Sequence, residues 1–174
     1  MMPEDNFEYW YKQGIGFSDL EKYDEALTCF EKAIELSSNN NDLSDAWTEK
    51  GFVKEKLKDF DSAIFCQTKA IEFNPKNADA WYMKGVSFGK QKKYFDAEVC
   101  YKKALDINPN DNQSLDNLGN VRFNLEDYNG AITYYNQSIS VDPKQCTPWE
   151  NKAKALKKLG LSDEAEDCYH MAKK

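Results

Sequence analysis

The residues best suited to chemistry are few, and their spacing works against it. Cys29, Cys66, Cys100, Cys146 and Cys168 could serve as nucleophiles, redox pairs or metal ligands. Each use needs thiols brought together, or a base or cation beside one. No two lie within 20 residues of each other and no CxxC occurs, so the zinc and disulfide-exchange templates fail. Free thiols in a reducing cytoplasm are expected. The one histidine, His170, has Glu166 and Asp167 on neighbouring turns, but a catalytic dyad also needs a nucleophile and a rigid frame. A solvated surface histidine is expected instead. Gly14-Ile15-Gly16 opens no dinucleotide fingerprint, because Asp19 stands at the third glycine position. Acid pairs such as Asp24-Glu25 fall where helix starts favour negative charge. No enzyme, metal site or cofactor is expected.

Composition narrows the binding classes. The chain has 174 residues, 41% hydrophobic and 30% charged, with a mean hydropathy of -0.80. Apolar residues this sparse must line one face of each element, as in amphipathic helices. Thirty acids oppose 23 bases for a net charge of -7, and Arg122 is the only arginine. Duplex binding by phosphate neutralisation is therefore disfavoured, and the bidentate guanidinium fork is nearly absent. Residues 1–43 hold ten acids and three lysines, so the net charge is concentrated there. No run is long and apolar enough for a membrane span. Met1 to Asn6 carries acid where an export signal carries base, and a cytoplasmic, membrane-free protein is expected.

The elements that position these groups recur. Trp47 and Trp81 are 34 residues apart, Leu115 fills the next slot, and Trp149 the one after; Trp10 precedes Trp47 by 37. Four residues beyond stand Gly14, Gly51, Gly85, Gly119 and Ala153. Further on come Ala26, Ala63, Ala97, Ala131 and Ala165, each followed by Phe30, Gln67, Tyr101, Tyr135 or Tyr169. Pro75, Pro109 and Pro143 close three units. Each unit carries two apolar patterns of helical period. Small residues let the two helices approach closely, aromatics fill the gaps, and proline stops the second helix. Asp59 and Asp127 stand where an N-cap for a second helix is expected. One pair cannot cover its own apolar face, so the pairs must stack.

This 34-residue pattern of Trp, Gly, Ala, aromatic and Pro resembles the tetratricopeptide repeat (TPR) family. The resemblance implies an all-α fold, an α-solenoid forming a right-handed superhelix of antiparallel helix pairs. It spans 1–174 as a single domain, with repeats at about 7–40, 44–77, 78–111, 112–145 and 146–174. Departures are Gln13, Lys50, Lys84 and Lys152 before the glycine position, where the family has Leu; Lys54 and Arg122 at slots usually aromatic; and Ser38 with no proline at the first junction. Four cysteines share one slot, which repeat four gives to Tyr134. Equivalent residues on stacked units lie roughly 10 Å apart, too far for a disulfide, so the slot is read as structural. Cys146, at a unit boundary, is the expected exposed thiol.

The resemblance further implies a scaffold or adaptor that binds a peptide or protein segment on a concave face of first helices. Tyr11, Ile15, Phe52, Tyr82, Met83, Val86, Asn117, Asn120, Asn151 and Lys154 fall on that face. The stripe of Ile15, Phe52 and Val86 has two open readings: packing between first helices, or a seat for a peptide whose backbone the asparagines bond. The face is acidic at its start, implying a partner basic toward repeat one, and carries lysines at its end. A carboxylate clamp is not expected, since Asp116 stands where lysine is needed. Two alternatives remain. RNA binding has the cluster Lys152, Lys154, Lys157 and Lys158, although no nucleic-acid partner is expected. Self-assembly through the terminal repeats is the other, since no separate capping helix follows repeat five.

Overall fold

The computed structural model describes residues 6–173; the acidic N-terminal residues 1–5, on which the export reading rests, lie outside them. The described residues form α-helices and no strand. In order these are α1 (Phe7–Asp19), α2 (Tyr23–Leu36), α3 (Asn40–Lys56), α4 (Phe60–Phe73), α5 (Ala78–Lys90), α6 (Tyr94–Ile107), α7 (Asn112–Asn124), α8 (Tyr128–Val141), α9 (Cys146–Lys158) and α10 (Ser162–Met171). The chain divides into two compact units, one ending at Gln91 and one beginning at Lys92. Within the first, each helix from α1 to α5 packs on the next, and α3 also touches α1 and α5. Within the second, α6 to α10 do the same, and α7 touches α9. The fold is the all-α, repeated-pair architecture expected of an α-solenoid.

The helix starts follow the sequence. Asp59 accepts a hydrogen bond from the Ser62 amide and Asp127 from the Gly130 amide, capping α4 and α8 as expected. Asn6, Asn39, Asn77 and Asp111 cap α1, α3, α5 and α7 in the same way, each contributing about 1 kcal/mol. The proline-free junction does turn differently. Asn39 takes the cap and α3 starts one turn early, so it runs for 17 residues where α5 has 13.

The turn inside each pair is one motif used five times. Glu21, Lys58, Lys92, Glu126 and Gly160 all have φ between 57° and 80°. In the fourth pair the Glu126 amide donates to the Phe123 carbonyl, and the Asp127 amide to that of Arg122, which is the Schellman arrangement. Only the last turn uses glycine, the residue that takes this conformation without steric cost.

Packing explains the departures from the family pattern. Trp81 and Trp149 each donate Nε1–H to the carbonyl of the proline six residues earlier, Pro75 and Pro143, at 3.1 Å. Lys50, Lys84 and Lys152 place their ammonium groups 5.0 to 5.7 Å from the rings of Trp47, Trp81 and Trp149. Lys32 from α2 covers Trp10 at 3.9 Å, so Gln13 need not. Repeat four, with Leu115 for Trp, has buried Leu118 in that lysine's slot. Lys54 and Arg122 also match in role, each pairing with the cap of the following helix, Asp59 at 3.7 Å and Asp127 at 3.3 Å. Arg122 further binds the buried carboxylate of Glu98.

The cysteine slot is structural. Cys29, Cys66, Cys100 and Cys168 are buried and unbridged, and Cys146 is exposed. Burial raises the thiols of Cys29 and Cys168 and pushes Cys66 up to about 11, opposing thiolate formation.

Candidate functional site

The first helices of the first unit carry Tyr11 and Ile15 on α1, Phe52 on α3, and Tyr82, Met83 and Val86 on α5. All six are half-buried. Tyr11, Ile15 and Phe52 pack on a core of Ala26, Phe30 and Val53, and Tyr11 meets the Phe30 ring at 6.1 Å. Ile15 and Phe52 thus contribute to packing while part of each side chain stays accessible. The glycine slot makes this arrangement possible. A Cβ on Gly14 would sit 2.6 Å from the Phe30 ring, so the absence of a side chain lets α2 bring its aromatic through.

Carboxylates surround this apolar patch. Burial first, then Asp45, Asp79 and Asp19, raises the Glu49 carboxyl above its ordinary value. Burial, then Asp42 and Asp79, does the same to Asp45. Tyr11 is pushed up to about 12 by burial, then by Glu49 and Asp45. Every charge acting on these three groups is negative. Of these carboxylates only Asp19 and Asp42 belong to the acidic residues 1–43; Asp45, Glu49 and Asp79 extend the acid rim beyond that segment.

The second unit is built differently. Asn120 on α7, Asn151 and Lys154 on α9, and Tyr135 on α8 converge on a hollow of about 240 Å³. Tyr135 Oη–H donates to Asn120 Oδ1 at 2.9 Å, and Asn151 Nδ2 donates to the same oxygen at 3.2 Å. Lys154 Nζ reaches Asn151 Oδ1 at 3.1 Å. Asn151 also lies 3.4 Å from Asp116. Burial raises the Asp116 carboxyl, and Asn151, Asn120 and Lys154 partly offset this. Asn117 is half-buried on α7 but does not line the hollow. Burial and Asp116 hold the Tyr135 phenol protonated, so it stays a donor.

The sequence placed Asn120, Asn151 and Lys154 on one face and the structure brings them together. What it missed was Tyr135, read only as a packing aromatic. The signal was its repeat slot: the side chain on Gly119's level must pass that glycine, where a Cβ would lie 2.4 Å from the ring, and its hydroxyl then emerges beside Asn120. In repeat two the slot holds Gln67, buried against Gly51, whose Nε2 donates to the Thr48 carbonyl at 3.1 Å.

The lysine cluster on α9 is spread around its helix. Lys152 covers Trp149, Lys157 covers the Tyr169 ring at 4.9 Å, and Lys154 belongs to the asparagine network. Tyr169 packs on the last core cluster, with Ala153, Leu156, Ala165 and Cys168. His170 is exposed. No group of three or more His, Cys, Asp or Glu is placed to hold a metal among the described residues. No helix among them is long and apolar enough to cross a membrane.

Similarity to known proteins adds to this geometry. No curated protein sequence matches the chain. Among solved structures, a crystal structure of MamA superposes with a TM-score of 0.83 at 20% identity, covering 95% of this chain and 89% of that one. A PilF structure from Pseudomonas aeruginosa gives 0.86 at 20% identity, over 99% of this chain and 77% of that one. YrrB, described as a TPR protein with an unusual peptide-binding site, gives 0.76 at 20% identity, over 97% and 85%. At such identities the likeness concerns the fold. Models of the tetratricopeptide repeat match residues 7–40, 44–77, 78–111 and 113–145, and α9 with α10 adds a further helix pair beyond them. The chain belongs to the tetratricopeptide repeat family.

Proposed function

We propose that the protein is a non-enzymatic, cytoplasmic interaction scaffold that holds a peptide or protein segment against its first helices. The observation that carries this reading is the accessible apolar stripe on the first helices of the first unit; the polar network of the second unit is a separate surface of the same kind. Tyr11, Ile15, Phe52, Tyr82, Met83 and Val86 offer half-buried apolar surface, which suits the side chains of an incoming segment. Asn120, Asn151 and Lys154 present amide and ammonium groups at a hollow, where a peptide backbone can find donors and acceptors. A segment bound on the first unit is basic, because the carboxylates of Asp45, Glu49 and Asp79 gather negative charge there. Peptide binding by YrrB is a precedent for this use of the architecture.

A selection of displayed twelve-residue peptides against the full chain tests this. Enriched peptides should carry Lys or Arg and lose binding to the Phe52→Ala/Tyr82→Ala variant, while circular dichroism stays helical. Equal binding to that variant would remove the first-unit stripe from the site.

A further inference from the structure

Between α6, α7 and α8 the second unit holds a hollow of about 380 Å³, lined by Leu105, Pro109, Leu115, Leu118 and Tyr134 together with the polar groups of Lys102, Asp106 and Gln137; Lys103 lies 3.6 Å from the Asp106 carboxylate. Its origin is visible in the repeat. At the other two junctions led by proline, Trp81 and Trp149 fill the corresponding slot and donate Nε1–H to the carbonyls of Pro75 and Pro143. Here the slot holds Leu115, which is smaller and has no N–H to offer the Pro109 carbonyl. The lysine that covers each indole, Lys84 or Lys152, is replaced by Leu118. The hollow therefore marks the proline-led junction that lacks its own indole.

We propose that this hollow binds an indole ring, the tryptophan side chain of an acidic partner segment. The ring seats between Leu105, Pro109 and Tyr134, above the buried Leu115 and Leu118, its N–H meets the Pro109 carbonyl as in the neighbouring repeats, and the Lys102 ammonium adds a cation–π contact. A volume above about 300 Å³ is in the range of ligand pockets, and Trp buries the largest apolar area of any side chain with a donor to place. The acidic character of the segment follows from α6. Its exposed residues, with those just before it, include Lys92, Lys93, Lys102 and Lys103 against Asp96 and Asp106. Glu98 is shared by Lys102 and Arg122, so one carboxylate there serves two cations. Val99, 58% exposed, and Phe95, 74% exposed, lie one and two turns before Lys102. At these slots α2, α4 and α8 have Thr28, Phe65 and Thr133, and Asp24, Asp61 and Asn129, so of these second helices α6 alone is apolar at both. The apolar track continues from the hollow along α6 and offers the same segment a second anchor.

The test uses the full ¹⁵N-labelled chain, titrated with N-acetyl-tryptophanamide, with the peptide Asp-Glu-Trp-Glu-Asp, and with its lysine-flanked counterpart Lys-Lys-Trp-Lys-Lys. Amide shifts are expected at Leu105, Leu118 and Gln137 at ligand concentrations of about 1 to 10 mM or below. The acidic peptide should bind about fivefold more tightly than the lysine-flanked one. Leu115→Trp, which supplies the ring from within, should abolish these shifts. If that variant is perturbed, Leu105→Phe fills the hollow from its wall and should do the same. Absence of shifts at these residues, or their persistence in a folded filled variant, would overturn the site. Equal affinity for the two peptides would overturn the acidic partner, and tighter binding of the free amide than of either peptide would overturn the polypeptide source.

Discussion

Two glycines in equivalent backbone conformation should respond oppositely to a single methyl group. Gly16 and Gly119 both lie inside helices, where Ala is favoured over Gly by roughly 0.8–1 kcal/mol. A Cβ on Gly16 meets nothing within 4 Å, whereas on Gly119 it would lie 2.4, 2.6 and 3.0 Å from Cε1, Cδ1 and Cζ of Tyr135. The ring cannot step aside, being 1% exposed and tied through its hydroxyl to Asn120. Relieving the contact requires a shift of about 1 Å between α7 and α8, an overpacking of about 3 kcal/mol, against which the helix preference returns about 1 kcal/mol. Gly16→Ala should therefore stabilise by about 1 kcal/mol, and Gly119→Ala should destabilise by about 2 kcal/mol. Urea unfolding followed by circular dichroism at 222 nm measures both, with the slope checked for constancy. The double variant Gly119→Ala/Tyr135→Leu should recover part of the loss. A Gly119→Ala protein as stable as the parent would refute the claim that this slot exists to admit the aromatic.

Three further outcomes are expected. Because the folded protein holds Glu49 protonated to higher pH than the unfolded chain does, it binds more protons in the window above about 4.3, and that group's contribution to stability falls as pH rises through it. Glu49→Gln should raise the melting temperature at neutral pH, with the gain disappearing near pH 4; a pH-independent gain would contradict the electrostatic cause. Replacing Glu126, at φ 61°, by glycine should stabilise by up to about 1 kcal/mol, read from the same urea curves. Arg122→Met removes a partner of the buried Glu98 and of Asp127; with Lys102 still paired to Glu98, a loss of about 1–3 kcal/mol is expected, and Glu98→Gln in that background should restore part of it.

Much of the fold was legible because the repeat compares the chain with itself. A 34-residue register identified the helix pairs, the caps at Asp59 and Asp127, and the structural meaning of the cysteine slot. The same register also held what was missed. Lys84 and Lys152 looked like departures when each position was read alone. Set beside Trp81 and Trp149 they are covers for an indole, and Leu115 with Leu118 is the same exchange made jointly. Arg122 likewise looked misplaced until the cap it pairs with, five residues on, was in view. The asparagine network was half legible: side chains on α7 and α9 share a face by register, but the reach of Tyr135 from α8 depends on how closely it passes Gly119, a distance that no pattern of residue types encodes. The apolar stripe was left between packing and binding for a physical reason. A half-buried Ile15 or Phe52 does some of both, and sequence periodicity reports only which face it lies on.

The most direct test of the scaffold reading is to map a bound peptide by amide chemical-shift perturbation on the full chain, using the tightest lysine- or arginine-bearing peptide from the selection. The expected result is saturable shifts at Tyr11, Ile15, Glu49 and Phe52 on the first helices of the first unit. Shifts confined to the exposed residues of α2, α4, α6, α8 and α10, with those of the first helices unmoved, would contradict it.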